Sequence, residues 1–450
     1  MRMKSEHIIV TLILIGIVAS HSQGYLLFSS VRSPSAGPSA VDFEAKEALT
    51  GNLIHTIRIN NSASGRITGA NLLLPLIGNV TARHYVLLTN ISSLLGTPEI
   101  IKDNSGNAYA VWKNLAVERG QSITVEVDYR LLSFTATYQL NSSLVGDYDR
   151  NSQLYNEYIQ PEEFIQSNDS EIILKAGEIA NEQNTTLKKV SRIYQFVISH
   201  MHYEAQDYER GALWALENGT GDCSEYSYLF VALCRASGIP ARIQTGFAFH
   251  HDIETTEDGH MWAEYYLENY GWIPVDATWR QLNAIDKRHF TQIRGKPDDM
   301  PYSNFFFNYT SGPSEDELEE SHMVTLEPLP VNALNDTALE AIARSVRKIA
   351  QVRPIVSLAE TTTSLILHSD TEEMKQMFHE SQQQLQDAIL DWQEHPQEAQ
   401  TEAITAIQTA DNALKKAWTA IAYTLSIVIL VMVSTMLIMI VLSKRHKRIT

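Results

Sequence analysis

The run from Ala417 to Ser443 contains no charged residue and consists mostly of Ile, Leu, Val and Met. It is long enough to cross a hydrocarbon core of roughly 30 Å. Inside lipid a backbone can satisfy its own hydrogen bonds only as a helix or a closed barrel, so this run predicts a transmembrane helix over 417–443. Lys444, Arg445, Lys447 and Arg448 follow it, against Lys415 and Lys416 before it, which places the short tail 444–450 in the cytoplasm. At the other end Arg2 and Lys4 precede an uncharged run, Ile8 to Ala19, and small polar residues follow. That pattern predicts a signal peptide over 1–23, and an uncleaved anchor would export the following chain equally well. The expected topology is a single-pass protein of the cell membrane with its N-terminal part outside. Nine Asn-x-Ser/Thr triplets, from Asn60 to Asn335, all fall in that exterior segment, as a glycoprotein requires.

Acidic residues outnumber basic ones by 53 to 35, giving a net charge of -18. This balance argues against nucleic acid as a partner. Only two cysteines occur, Cys223 and Cys234, so no disulfide framework supports the fold. Ser and Pro mark 24–40 as a linker. From 41 to 140 short alternating runs separated by turn signals predict a β-sandwich; the clearest is Ser122 to Tyr129, with Ile123, Val125, Val127 and Tyr129 on one face. Residues 150–310 are expected to form the next domain, which carries both cysteines. From 311 to 416 the apolar spacing turns helical, as in Leu339, Ile342, Val346 and Ile349, or Met374, Phe378, Leu385, Ile389 and Trp392, and predicts a stalk. Pro396 interrupts that stalk, and Ile404, Ile407 and Leu414 carry the apolar stripe on towards the membrane.

The chemically informative stretch is GDCSEYSYLFVALCRASGIPAR. Asp222 and Glu225 have capping-box spacing, and Gly238 and Pro240 close a helix at its far end. Cys223 is therefore placed on the first helical turn, where the positive end of the helix dipole favours a thiolate. Cys234 lies about 16 Å further along the same helix at 1.5 Å per residue. The two cannot be bridged, and Cys234 reads as a buried small residue. Two strands follow, His260 to Leu267 and Trp272 to Asp276, joined as a hairpin. A turn centred on Glu268 would set His260 directly across from Asp276, whereas one nearer Asn269 or Tyr270 would offset them. A thiol, an imidazole and a carboxylate in this order suffice for covalent acyl transfer. The Cys223 backbone N–H is one oxyanion donor, and a second is not assigned. His250, His251, Asp252, Glu254 and Asp258 concentrate possible metal ligands without metal-site spacing, so the loop reads as a solvated acidic lip and no metal or cofactor is expected. Tyr203, Tyr208 and Trp214 either line the cleft or pack on the helix.

At these residues, and at GHMWAEYYLENYGWIPVDATW, the chain resembles the transglutaminase-like superfamily, over roughly Glu171 to Leu282. The resemblance implies an α+β protein: a papain/transglutaminase-like core preceded by the β-sandwich and followed by the stalk and one transmembrane helix. It makes Cys223 the nucleophile, His260 the base and Asp276 the orienting acid, with Trp262, Gly271 and Trp272 as structural neighbours. The activity it implies is cleavage of amide bonds in proteins or peptides through a Cys thioester, with hydrolysis favoured over cross-linking. A cell-surface binding or adhesion protein that carries an idle catalytic fold stays open, as does a sensor that cleaves a partner at the membrane. The oligomeric state is not legible.

Overall fold

The computed structural model describes residues 43–446 except 63–64, 181–182, 298–299, 314–317 and 364–367. The expected signal peptide and linker lie outside the described residues. Two compact units result, one comprising Leu49–Leu334 and the other Asn335 onward.

Six strands open the first unit: β1 (Phe43–Asn60), β2 (Ile67–Pro75), β3 (His84–Ser93), β4 (Glu99–Lys102), β5 (Ala108–Val117) and β6 (Ser122–Tyr138). The expected run Ser122 to Tyr129 opens β6. Alternation sets which face is buried: Leu53, Ile57 and Ile59 of β1 and Val125, Val127, Tyr129 and Leu131 of β6 are fully enclosed. The next segment supplies helices α1 (Gln153–Tyr158), α2 (Ser170–Ala180), α3 (Thr186–His200), α4 (Ala212–Asn218) and α5 (Cys223–Ala236). Between them lie the short parallel pair β7 (His202–Tyr203) and β8 (Thr220–Gly221). Then come β9 (Ala241–Ala248), β10 (Glu254–Thr256), β11 (His260–Leu267), β12 (Gly271–Asp276), β13 (Gln281–Leu282), β14 (Ala284–Ile285), β15 (His289–Arg294), β16 (Phe306–Asn308) and β17 (Glu319–Pro328).

The sheet orders cut across the domain boundaries expected from sequence. One sheet runs β10-β17-β1-β6-β14, with β3 also on β6, and another runs β16-β2-β5-β4. Both draw strands from either side of 140–150. Residues 319–328, expected to begin the stalk, instead pair along β1 from Gly51↔Pro328 to Asn60↔Glu319. Composition does not reveal this, because the strand's pairing partner lies far away in the sequence. The core follows the same interleaving, with Phe247, Phe249 and Phe290 joining the apolar side chains of β1, β2 and β6 in one cluster.

The third sheet, β13-β12-β11-β9-β15, is antiparallel and draws all its strands from 241–294. Helix α5 is buried from Glu225 to Arg235, so it is a central helix rather than the one-sided helix its periodicity suggests. Cys234 is fully buried and free, and burial pushes its thiol up in pKa.

The second unit holds α6 (Thr337–Thr363), α7 (His368–Asp391) and α8 (Pro396–His446). The stripes Leu339, Ile342, Val346, Ile349 and Met374, Phe378, Leu385, Ile389, Trp392 are buried, as their spacing predicts. In α8 the structure departs from expectation. Ile404 is exposed and Ile407 and Leu414 are only half-buried, while Ala399, Ala403, Ala406, Ala410, Ala413, Ala417 and Ala420 form the enclosed column. Small residues let helix axes approach closely, so the alanine stripe takes the inner face and the larger residues turn outward. Within α8, Pro396–Ile440 is long and apolar enough to cross a membrane, with a window of mean hydropathy 2.4.

Two buried histidines make the first unit acid-sensitive. His55 sits on the enclosed face of β1 against Phe247 and His322, and burial followed by the nearby His322 holds its pKa well below 6.5. Burial, with help from Arg83 and Arg294, pushes His84 down to about 3. Both rings are neutral when folded and gain a proton when unfolded. Stability is therefore undiminished above the unfolded value near 6.5 and falls as pH drops below it. His84 alone accounts for on the order of 2–3 kcal/mol between pH 6.5 and 4.5. Thermal denaturation across that window should show a steep decline that flattens in His55→Phe. An unchanged slope in the variant would count against His55 as a source.

Candidate active site

The start of α5 is shaped by Gly221, Asp222 and Glu225 together. Asp222 Oδ1 accepts the Ser224 N–H at 2.9 Å, and Glu225 Oε2 accepts the Asp222 N–H at 3.1 Å, completing the capping box. Glu225 curls back beneath Gly221, whose φ is 152°; a Cβ there would lie 2.4 Å from the Cβ of Glu225. Only glycine fits, which explains the Gly-Asp-Cys-x-Glu order in physical terms. Cys223 sits half-buried on the first turn. The loop before it is tied to the same cap, with Arg210 N–H donating to Glu225 Oε1 at 2.9 Å and Gln206 N–H to Asp222 Oδ2 at 3.3 Å. Tyr203 at the end of β7 and Tyr208 on that loop are exposed, and the Arg210 guanidinium stacks 3.7 Å from the Tyr208 ring centroid.

The hairpin register resolves to the offset alternative. Leu267 pairs with Gly271 and Ala263 with Val275, so the turn centres on Asn269, which adopts φ 72°. Extending that register sets Asp276 opposite Trp262, two residues from His260 and on the same face. Diagonal neighbours of this kind remain within reach of long side chains. His260 Nε2 lies 2.8 Å from Asp276 Oδ2. With Nε2 engaged, the other ring nitrogen stays available, and Cys223 lies near enough to help raise the pKa of this imidazole. Burial acts to lower the His260 pKa, but the charge and hydrogen bond of Asp276, with a smaller contribution from Cys223, raise it to about 10. Asp276 is fully enclosed, and although burial disfavours its charge, His260 and His289 hold it well below the usual carboxylate range. Its Oδ1 accepts the Trp279 N–H at 2.9 Å. The three residues expected from sequence are thus brought to one place.

Several neighbours were not expected. His289 Nε2 also approaches Asp276 Oδ2, at 3.1 Å, and His289 Nδ1 lies 3.0 Å from Asp286 Oδ1. The Trp279 ring packs against His250, His260 and His289 at centroid distances of 4.7, 5.1 and 4.9 Å. Trp279 ends the second quoted motif, but His289 and Asp286 lie beyond it; the pairing of β15 with β9 brings in His289, and hydrogen bonds with Gln281 hold Asp286. His260, Asp276 and His289 are the cluster, among the described residues, whose donor atoms lie within 4.8 Å of one another. Both imidazoles already point Nε2 at one carboxylate oxygen, a geometry of shared protons. The acidic loop proves partly ordered: Asp252 pairs with Lys287 at 2.9 Å, and β10 joins β17.

Residues 175–277 match the transglutaminase-like superfamily. This is a transglutaminase-like core. Its fold is that of a family of cysteine acyl-transfer enzymes. A protein-glutamine gamma-glutamyltransferase of Pseudomonas aeruginosa is 32% identical over 68 residues, 14% of this chain and 10% of that protein. An uncharacterized protein of Haemophilus influenzae is 29% identical over 128 residues, 22% of this chain and 34% of that protein. The chain thus spans between a tenth and a third of these relatives. Among solved structures, one from Cytophaga hutchinsonii, proposed to be a cysteine protease, aligns with TM-score 0.49 and 17% identity over 64% of this chain and 93% of that one. The periplasmic domain of TgpA from Pseudomonas aeruginosa, bound to ethylmercury, aligns with TM-score 0.29 and 16% identity over 53% and 91%.

Proposed function

We propose that this chain is a membrane-anchored, extracytoplasmic enzyme that opens amide bonds of proteins or peptides through a Cys223 thioester. The supporting observation is the contact of His260 with Asp276 through Nε2, which leaves Nδ1 free to serve the Cys223 thiol on the first turn of a buried helix. Cys223 gives its proton to His260 as sulfur attacks the carbonyl carbon. The Cys223 backbone N–H, at the positive end of α5, meets the oxyanion. His260 then passes the proton to the departing amine nitrogen as the C–N bond breaks, and Asp276 keeps the imidazole in the required tautomer throughout. A second acceptor, water or an amine, releases the acyl group. Hydrolysis is the favoured outcome, because Cys223 is half-buried rather than sealed and water reaches it without a binding site. The apolar part of α8 and the basic residues after it support the anchored placement.

The test is incubation of the full-length chain in detergent with glutamine-containing peptides, with and without an added lysine analogue, followed by mass spectrometry. The expected result is a Cys223-linked acyl adduct in the intact protein and peptide products carrying the mass change of deamidation or cleavage. Cys223→Ala should remove both. Products that persist in Cys223→Ala, or a wild-type chain that forms neither adduct nor product, would overturn the reading.

A further inference from the structure

His289 faces a carboxylate at each ring nitrogen, Asp276 through Nε2 and Asp286 through Nδ1. An ionised carboxylate only accepts hydrogen bonds, whereas a neutral imidazole has a single N–H to give. Both acids are held in the ionised form. Asp286 also accepts from Gln281 Nε2 at 2.7 Å and from the Arg288 N–H at 2.8 Å, and despite burial these donors and His289 bring its pKa down to about 2. Serving both carboxylates therefore requires two N–H groups, which is the imidazolium. Its side chain is 2% exposed, and its ring centroid lies 5.6 Å from that of His260.

We propose that His289 is a fixed buried cation that loosens the hold of His260 on its proton by sharing the Asp276 carboxylate. The proposal rests on the acyl-transfer reading above. His289 is a positioning residue, since it touches Asp276 and not the thiol. If Asp276 served His260 alone, the imidazolium formed when Cys223 gives up its proton would be held tightly and returned reluctantly to the leaving amine. Sharing Oδ2 with a second positive ring divides that attraction.

The surroundings leave this arrangement as the dominant charge on His260. Beside Asp276, Cys223 is the group that acts on its charge. Trp262 and Trp279 flank both imidazoles without charge. His84 packs nearby as a neutral ring, its pKa lowered in part by His289. Arg288 stands 3.8 Å from Asp286. Tyr194, on α3, lies within the electrostatic reach of Asp276 and Arg280.

The test follows alkylation of Cys223 by iodoacetamide against pH in the full-length chain, for wild type, His289→Asn and Asp286→Asn. Asp286→Asn supplies an amide N–H that can turn towards Nδ1, so His289 can become neutral with its ring still in place. Loss of the cation should move the alkaline step, where His260 loses its proton, upward by on the order of one pH unit in both variants. Rates that change evenly across pH with the step unmoved, or a step that moves downward, would overturn the proposal and reduce His289 to a packing residue. Should His289→Asn fail to fold, Asp286→Asn, close to isosteric, decides the matter. Alkylation needs no substrate, so a chain that shows the shift but forms no thioester counts against the proposed function alone.

Discussion

Asp276→Asn is expected to lower turnover of an amide substrate by roughly 10³–10⁴ while leaving the chain folded. The reason is donor geometry. Asp276 Oδ2 receives both His260 and His289, and Oδ1 receives the Trp279 N–H. An amide offers one oxygen. Turned towards Trp279, it points an NH2 at both imidazoles, so His260 must carry its proton on Nδ1 and has no nitrogen left to take the thiol proton. Turned the other way, it sets an N–H against the Trp279 N–H and withdraws the negative charge that stabilises imidazolium. Measurement of kcat at saturating peptide, together with the melting temperature, separates loss of chemistry from loss of fold. Turnover within tenfold of wild type would remove Asp276 from the mechanism.

Glu264→Gln should produce a large loss of stability in the sheet that carries His260 and Asp276. The carboxylate is buried on β11 directly across from Arg242 and accepts from Arg242 Nε and NH2 at 2.7 Å each and from Arg83 NH2 at 2.5 Å. Burial disfavours its charge, but Arg83, Arg242 and Arg294 together lower its pKa to about 2. Removing one partner of such a network leaves buried cations without a counter-charge, at about 3–5 kcal/mol. The melting temperature should fall by on the order of 10 °C. The sign of the pH dependence follows from the lowered pKa: the contribution is present above the unfolded value near 4.5 and disappears as pH falls towards 2. Glu264→Gln should therefore differ most from wild type at neutral pH and converge with it in strong acid. A melting temperature within 2 °C of wild type at pH 7 would refute the account.

These two sites differ in how far the sequence reveals them. Cys223, with its cap and helix, is legible because every determinant is local: Gly221, Asp222 and Glu225 lie within four residues. His260 and Asp276 are legible as a hairpin pair, but their two-residue offset depends on whether Asn269 takes a left-handed conformation, and spacing alone does not specify that. His289 and the Arg83 and Arg242 partners of Glu264 are hidden for another reason. They reach their places by pairings between β15 and β9 and between distant segments, which no local pattern encodes. The same cause hides the strand at 319–328, whose partner lies at 51–60. In α8 the obstacle is different again: large apolar residues dominate any reading of periodicity, yet the alanines between them form the contact.

The pairing of Gly51 with Pro328 also governs when this protein can finish folding. β1 lies between β6 and β17 in its sheet. β6 follows β1 soon in synthesis, but at about 5–20 residues per second the ribosome needs tens of seconds more to reach β17. Through that interval one border of β1 presents open backbone hydrogen-bonding groups, the kind of template on which neighbouring nascent chains associate. A message interrupted before residue 319 would leave that border open permanently, even though Cys223, His260, Asp276 and His289 had all been made. Quality control of this protein is thus expected to depend on β17 rather than on the residues proposed to react.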